Sequence, residues 1–289
     1  MLYRNLIIYL SAFANILAIQ GCATNKNKVA FSPKEYDLNR PLVLYLNDAL
    51  SEISGIYFYP KDTSVFAISD GSGYLFKIHL GKNIFTQRWK FDKTFDFEDL
   101  VYKDSAFYVL ESNGDIHTLK FSPKGDTITT QTTLFAEDHK NKNDFESLYY
   151  DPVRKSFILI CKDCQSDKKN VVTARAYHPE NKTFTPSAFT INVDLIAKKT
   201  GLEKLKFKPS AATINPLTGD LWILASANML LVVTDKNGNC KAAYHLNPAI
   251  FTQPEGITFT QSGNLIISNE AGTKYNSPTL LIFKRKTLS

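Results

Sequence analysis

Short apolar runs rich in β-branched and aromatic residues, separated by polar turn residues, recur along the chain without a sustained 3.6-residue period, which predicts strands rather than helices. Five of these runs open on a small or acidic residue: Ser54-Gly55-Ile56, Glu98-Asp99-Leu100, Glu146-Ser147-Leu148, Ser210-Ala211-Ala212 and Glu255-Gly256-Ile257. Each leads, 13 to 16 residues later, into the end of a second run, at Asp70, Glu111, Cys161-Lys162, Ala225-Ser226 and Asn269-Glu270. Successive openings lie 44, 48, 64 and 45 residues apart, the length of one four-stranded propeller blade.

The repeat beginning at Ser210 shows the unit most plainly. Ala211 to Ile214 runs into the turn Asn215 to Asp220, Leu221 to Ala225 forms a second strand, Met229 to Thr234 a third, and Lys241 to Leu246 a fourth. Asn237-Gly238 between the last two is a strong hairpin turn. The repeat beginning at Glu255 holds only three strands before the chain ends, and an unpaired edge is an aggregation liability. Pro41 to Leu46 is a strand without a blade, and pairing it with that edge closes the ring. The expected fold is therefore all-β: a five-bladed β-propeller of four-stranded antiparallel blades closed by an N-terminal strand. Six blades is the alternative if Asp194 to Lys208, where Asp194 to Ala197 suits a helical turn, hides a degenerate blade.

The N-terminus departs from this pattern. One positive charge at Arg4, an apolar stretch from Leu6 to Ile19 and then Gln20-Gly21-Cys22 predict a signal peptide over 1–21, too short to span a membrane. Its end resembles the bacterial lipobox, which implies acylation of Cys22. Ala23 after it implies an outer-membrane lipoprotein, facing the periplasm or the cell surface, anchored by lipid without spanning. Residues 22–39, rich in Asn, Lys and Pro, predict a tether, and 40–289 the propeller domain. A net charge of +6 with scattered lysines excludes nucleic acid as the expected partner. The expected species is a monomer bound to the membrane through Cys22, with an envelope protein or small molecule as its ligand. Cys161-Lys162-Asp163-Cys164 lies at a strand end rather than a helix N-terminus, which favours a structural loop, exposed and disulfide-bonded in an oxidising compartment, over redox catalysis.

Glu52-Ile53-Ser54-Gly55-Ile56, Asp96-Phe97-Glu98-Asp99-Leu100, Asp144-Phe145-Glu146-Ser147-Leu148 and Gln253-Pro254-Glu255-Gly256-Ile257, with Ala67 to Asp70 and Tyr108 to Glu111, resemble the bacterial SdiA-regulated family from about Pro41 to Lys284. The resemblance implies a five-bladed propeller akin to the NHL-repeat proteins and an associated calcium site. It implies a fold and an ion rather than a reaction.

In a propeller the first strand of each blade lines the axial channel, so residues opening those strands converge at one mouth. Glu98, Glu146 and Glu255 occupy equivalent positions in three blades. Three such carboxylates repel one another unless a hard cation relieves them, and calcium suits a set of oxygen donors better than zinc. The structural alternative is that each acid braces the neighbouring blade through its backbone amides. Ser54 and Ser210 stand where the other blades carry glutamate. The ends of the second strands form a second ring of Asp70, Glu111, Lys162, Ser226, Asn269 and Glu270, of which Asp70, Glu111 and Glu270 are candidates for ligand or outer contacts; Glu52, Ser54 and Ser210 are further candidates at the same mouth. The five histidines fall in outer strands or turns, away from both rings, and no Walker loop, G-x-S-x-G or H-E-x-x-H occurs. The expected function is a calcium-binding ligand- or protein-binding module of the cell envelope; the alternative is a metal-dependent hydrolase of esters, lactones or phosphoesters, by analogy with lactonase-like propellers.

Overall fold

A computed structural model describes residues 32–81, 84–135, 142–272 and 277–287. The expected signal peptide over 1–21 and the expected acylation site Cys22 lie outside the described residues. β1 (Leu42–Tyr45) precedes the first blade, which comprises β2 (Ile53–Tyr59), β3 (Ser64–Ser69), β4 (Tyr74–His79) and β5 (Phe85–Lys90). The second blade is β6 (Phe97–Lys103), β7 (Ala106–Glu111), β8 (Ile116–Phe121) and β9 (Ile128–Thr133). The third is β10 (Phe145–Asp151), β11 (Ser156–Cys161), β12 (Val171–His178) and β13 (Thr183–Asn192), followed by α1 (Val193–Thr200). The fourth is β14 (Ala211–Ile214), β15 (Leu221–Ala225), β16 (Leu230–Thr234) and β17 (Cys240–His245), and the fifth contains β18 (Pro254–Phe259), β19 (Leu265–Asn269) and β20 (Thr279–Phe283).

All five sheets have four strands, and the last runs in the order β1-β20-β19-β18. Leu42 pairs with Ile282 and Tyr45 with Thr279 in an antiparallel ladder, so the N-terminal strand completes the fifth blade as the edge-strand reasoning requires. The segment that left six blades open is a helix instead. Asn192 caps it by accepting from the amides of Asp194 and Leu195, and Gly201 ends it with a φ of 71°. Val193 and Ile196 point inward and fill the space between the third and fourth blades, which explains the extra length of that repeat.

The core is a ring rather than a sphere. One cluster of buried apolar side chains occupies each gap between consecutive blades, from Phe66, Leu75 and Phe107 between the first and second to Ile266, Leu280 and Val65 between the fifth and first. Every blade is therefore held on both faces, and closure by β1 brings the fifth blade's Leu280 and Ile266 against the first.

Residues 32–39, within the expected tether, are packed. Tyr36 is 1% and Leu38 2% exposed in the cluster with Trp222 and Phe259. The Tyr36 hydroxyl donates to the carbonyl of Gly263 at 2.6 Å, in the turn joining β18 to β19. Only an aromatic side chain with a polar tip makes both contacts, which composition alone does not reveal. The described chain thus begins on the side of the ring that carries the β18–β19 hairpin turn, opposite the mouth where the first strands open.

Candidate functional site

Three bulges build the mouth. In β6, Phe97 pairs with Glu111 and Asp99 with Leu110, which leaves Glu98 without a partner. In β10, Phe145 pairs with Cys161 and Ser147 with Ile160, leaving Glu146, and in β18, Pro254 pairs with Asn269 and Gly256 with Ser268, leaving Glu255. An extra residue in one strand bends it and re-aims a side chain. The same device therefore turns the three sequence-predicted glutamates out of the ladder and toward the channel. The first blade is also bulged, but across Ser54-Gly55, and β14 runs without a shift from Ala211.

Glu98, Glu146 and Glu255 line one cavity of about 360 Å³, together with Glu52, Ser54, Asp70 and Glu270. Asp96 and Asp144 line it too, as do Gln253 and Lys162. The sequence signal for the two aspartates is in the repeated motif: the residue two positions before each bulge is Glu52, Asp96, Asp144 or Gln253. Eight carboxylates thus face one basic side chain. Lys162, which is 26% exposed, forms an ion pair with Glu146, itself only 7% exposed. The Gln253 amide donates to Glu270.

Crowding shows in the proton affinities. Burial, then the neighbouring Asp96 charge, pushes Glu98 up to about 9, against the pull of Lys162. Burial, then Glu255 and Glu52, pushes Glu270 up to about 8, and burial with Asp96 and Glu52 pushes Asp70 up to about 6. Burial also raises Glu255, opposed first by the Ser226 hydroxyl, and raises Asp144, opposed by Lys162. The mouth therefore carries more negative charge than its own partners neutralise.

Glu111 and Ser210 do not line this cavity. Glu111 is drawn aside by His117, whose Nε2 lies 3.1 Å from Oε2, while His117 Nδ1 lies 3.3 Å from the Asp92 carboxylate. A histidine therefore does meet the second ring, buried beneath it rather than facing the channel. Ser210 donates to the carbonyl of Pro254 at 3.2 Å, joining the fourth blade to the fifth. Ser54 donates to the carbonyl of Phe97 at 2.8 Å, and Ser268 to that of Ser54 at 3.2 Å, joining the first blade to its neighbours on each side.

The bracing acid is Asp99, one residue beyond the bulge. Its two carboxylate oxygens accept from the amides of Leu100 and Leu148, each at 2.8 Å, and so tie the second blade to the third. Burial pushes its carboxyl well up, with both amides pulling the other way. The glutamates face the mouth, and the bracing falls to the next residue. Gly55 and Gly256 permit the close approach this needs: a Cβ on Gly55 would lie 2.5 Å from the Asp99 Cα, and one on Gly256 2.5 Å from the Ser54 carbonyl oxygen.

Cys161 and Cys164 form a disulfide with a Cα separation of 5.9 Å. Both cysteines are buried, so the bridge is not the exposed one expected from the loop sequence. Between them, the Lys162 amide donates to the Asp144 carbonyl at 2.8 Å. The far mouth holds a second cavity of about 300 Å³ with Tyr57, Tyr102, Tyr150 and Ile214 in its wall; Asp99 reaches it with both oxygens already engaged.

Among the described residues, the mouth's donors are carboxylates with an amide and a hydroxyl, and no thiolate or imidazole lines it. That set suits a hard cation such as calcium by its chemistry. Among the described residues, no three His, Cys, Asp or Glu side chains are already gathered into a metal-holding group. The ring of acids is open, with Lys162 standing on one member.

No curated protein matches the sequence. Among solved structures, glutaminyl cyclase of Myxococcus xanthus superposes with a TM-score of 0.55 at 14% identity, covering 86% of this chain and 99% of that one. The PQQ-bound aldose sugar dehydrogenase of Streptomyces coelicolor gives 0.54 at 10% identity, covering 86% and 99%. Luciferin-regenerating enzyme gives 0.52 at 11% identity, covering 86% and 98%. At these identities the likeness is one of fold, and propellers of this kind serve varied chemistries. The sequence profile of the SdiA-regulated family matches residues 31–276, across all five blades, and the chain belongs to that family.

Proposed function

We propose that the acidic mouth binds calcium and that the protein is a lipid-anchored binding module of the cell envelope. The observation that carries this is the set of three bulges, which aim Glu98, Glu146 and Glu255 into one cavity that one lysine cannot neutralise. The three glutamates would hold the ion, with Asp96, Asp144 and Glu270 as the nearest further carboxylates lining the cavity. Bound there, calcium would supply positive charge and open positions for an oxygen-rich ligand. Ser54 and Ser210 act in the ring's bracing, and Asp70 and Glu52 set the field at the rim.

Acylation at Cys22 would place the bilayer within reach of the side where the described chain begins, since Cys22 and Ser32 are ten peptide bonds apart and span at most about 36 Å. The acidic mouth, on the opposite side, would face away from the anchoring membrane and be free for a ligand.

Melting the protein in calcium and in chelator tests the ion. A stabilisation by calcium that Glu146→Gln removes is expected; melting curves that coincide would end the proposal. A metal-dependent hydrolase is the second function, favoured by Glu98, whose carboxyl, pushed up to about 9 by burial and then by Asp96, resembles a general acid. Turnover of ester, lactone or phosphoester substrates that is lost in Glu98→Gln would establish it in place of a binding module.

A further inference from the structure

We infer that Lys162 is a tethered counter-cation occupying the mouth, which a bound divalent ion must displace, and that the Cys161–Cys164 loop holds it there. The inference deepens the calcium-binding proposal and rests on it. Of the described side chains lining the acidic cavity, Lys162 alone is basic. Its ammonium pairs with Glu146, one of the three bulge glutamates. It lines the same cavity as Glu98, Glu255 and Glu270, which come from two other blades, so its charge stands among carboxylates of the whole mouth rather than beside one partner.

The position of this lysine is built, not incidental. The disulfide closes the loop Cys161-Lys162-Asp163-Cys164 at the end of β11. The amides of Lys162 and Asp163 both donate to the Asp144 carbonyl, at 2.8 and 3.2 Å. On the outer side the Asp163 carboxylate is held by Lys206 at 2.8 Å and Lys208 at 3.3 Å. The loop is thus fixed from three directions, and the one side chain it projects inward is the ammonium. A surface lysine loses rotamer freedom when confined, and here the surrounding carboxylates offset that cost.

Two consequences follow for the ion. A divalent cation binding among the bulge glutamates meets a positive charge at the same carboxylate, so its affinity is weaker than the acid count implies. The ring also remains neutralised in part when the ion leaves, which keeps the bulges from opening under their own repulsion. The mouth is then suited to reversible exchange at calcium levels well above those that fill a dedicated buffer site.

The test uses the parent protein, Lys162→Met and Lys162→Arg, with calcium titrated by calorimetry and melting followed in chelator. Lys162→Met is expected to bind calcium about tenfold more tightly, the scale of removing one unit charge at contact in a partly solvated site. Without metal it should melt below the parent at neutral pH, whereas a lysine that served packing alone would lower melting without raising affinity. Lys162→Arg, which keeps the charge, should bind as the parent does. Calcium affinity that is equal or weaker in Lys162→Met would overturn the inference while leaving the ion site intact. Failure of the parent and both variants to bind calcium would overturn the function and this inference together.

Discussion

Replacing Glu98 by glutamine removes the most strongly perturbed carboxyl of the mouth while keeping its shape. In the folded protein its proton is held up to about 9, against about 4.5 when the chain is unfolded. The folded state therefore binds this proton more tightly than the unfolded state does, so its contribution falls as pH rises from the unfolded value to the folded one and levels off beyond it. At about pH 7.5 roughly three pH units of that window have been crossed, which at about 1.36 kcal/mol each sets an upper bound near 4 kcal/mol. Glu98 is half-buried and borders a cavity open to solvent, so screening reduces the cost to about 1–2 kcal/mol. In chelator, Glu98→Gln should then melt about 3–6 °C above the parent near neutral pH, for a domain of this size, with the gain fading toward about pH 5. In saturating calcium the order should reverse, because only the parent retains the full ligand set, and ligand at a hundred times its dissociation constant contributes about 2.7 kcal/mol. Calorimetric melting across the pH range, with and without calcium, reads both effects. A parent protein whose metal-free melting temperature is flat or rises between about pH 5 and 9 would refute the electrostatic account.

The bracing residues give two further tests. Asp99→Ala strands the buried amides of Leu100 and Leu148, each costing about 1–3 kcal/mol, partly offset by relief of a buried carboxylate; a net loss of about 2–4 kcal/mol in denaturant unfolding is expected, and a loss under about 0.5 kcal/mol would show the second and third blades are joined by packing alone. Gly55→Ala places a methyl 2.5 Å from the Asp99 backbone and should cost at least about 2 kcal/mol, whereas Gly125→Ala, with open space around it but a φ of 73°, should cost about 1 kcal/mol; equal losses would contradict the close approach of the first two blades.

The ring was legible because period and strand pattern agree: five openings, and an orphan strand at Pro41 to Leu46 matched to a three-stranded repeat. The three mouth glutamates were legible because the bulge recurs at the same place in the motif, so equivalence in sequence became convergence in space. Asp96 and Asp144 share that motif, yet two residues before a bulge reads as ordinary strand lead-in until the bend is seen. Ser54 and Glu98 look interchangeable in the repeat, but hydrogen-bond partners in the next blade separate them, and no local pattern records partners 43 residues away. Position alone puts Glu111 in the second ring, and His117 holds it elsewhere. Lys162 is legible as a member of the second ring from its place at the end of a second strand, but its pairing with Glu146 is not, because that contact joins side chains from two different strands. The eight-residue helix exceeds the expected turn because Asn192 and Gly201 cap it on both sides.

The ladder joining β1 to β20 pairs residues as far apart as Leu42 and Ile282. The first strand to form must therefore wait for the last before its blade exists. Until then Leu280 and Ile266 have no finished sheet to present to the first blade, and the gap between the two remains wet. Such a chain acquires its final cooperativity in one late step, with loop closure over nearly the whole domain as the slow event. A nascent chain of this architecture is thus poorly able to lock prematurely, before its last strand is available.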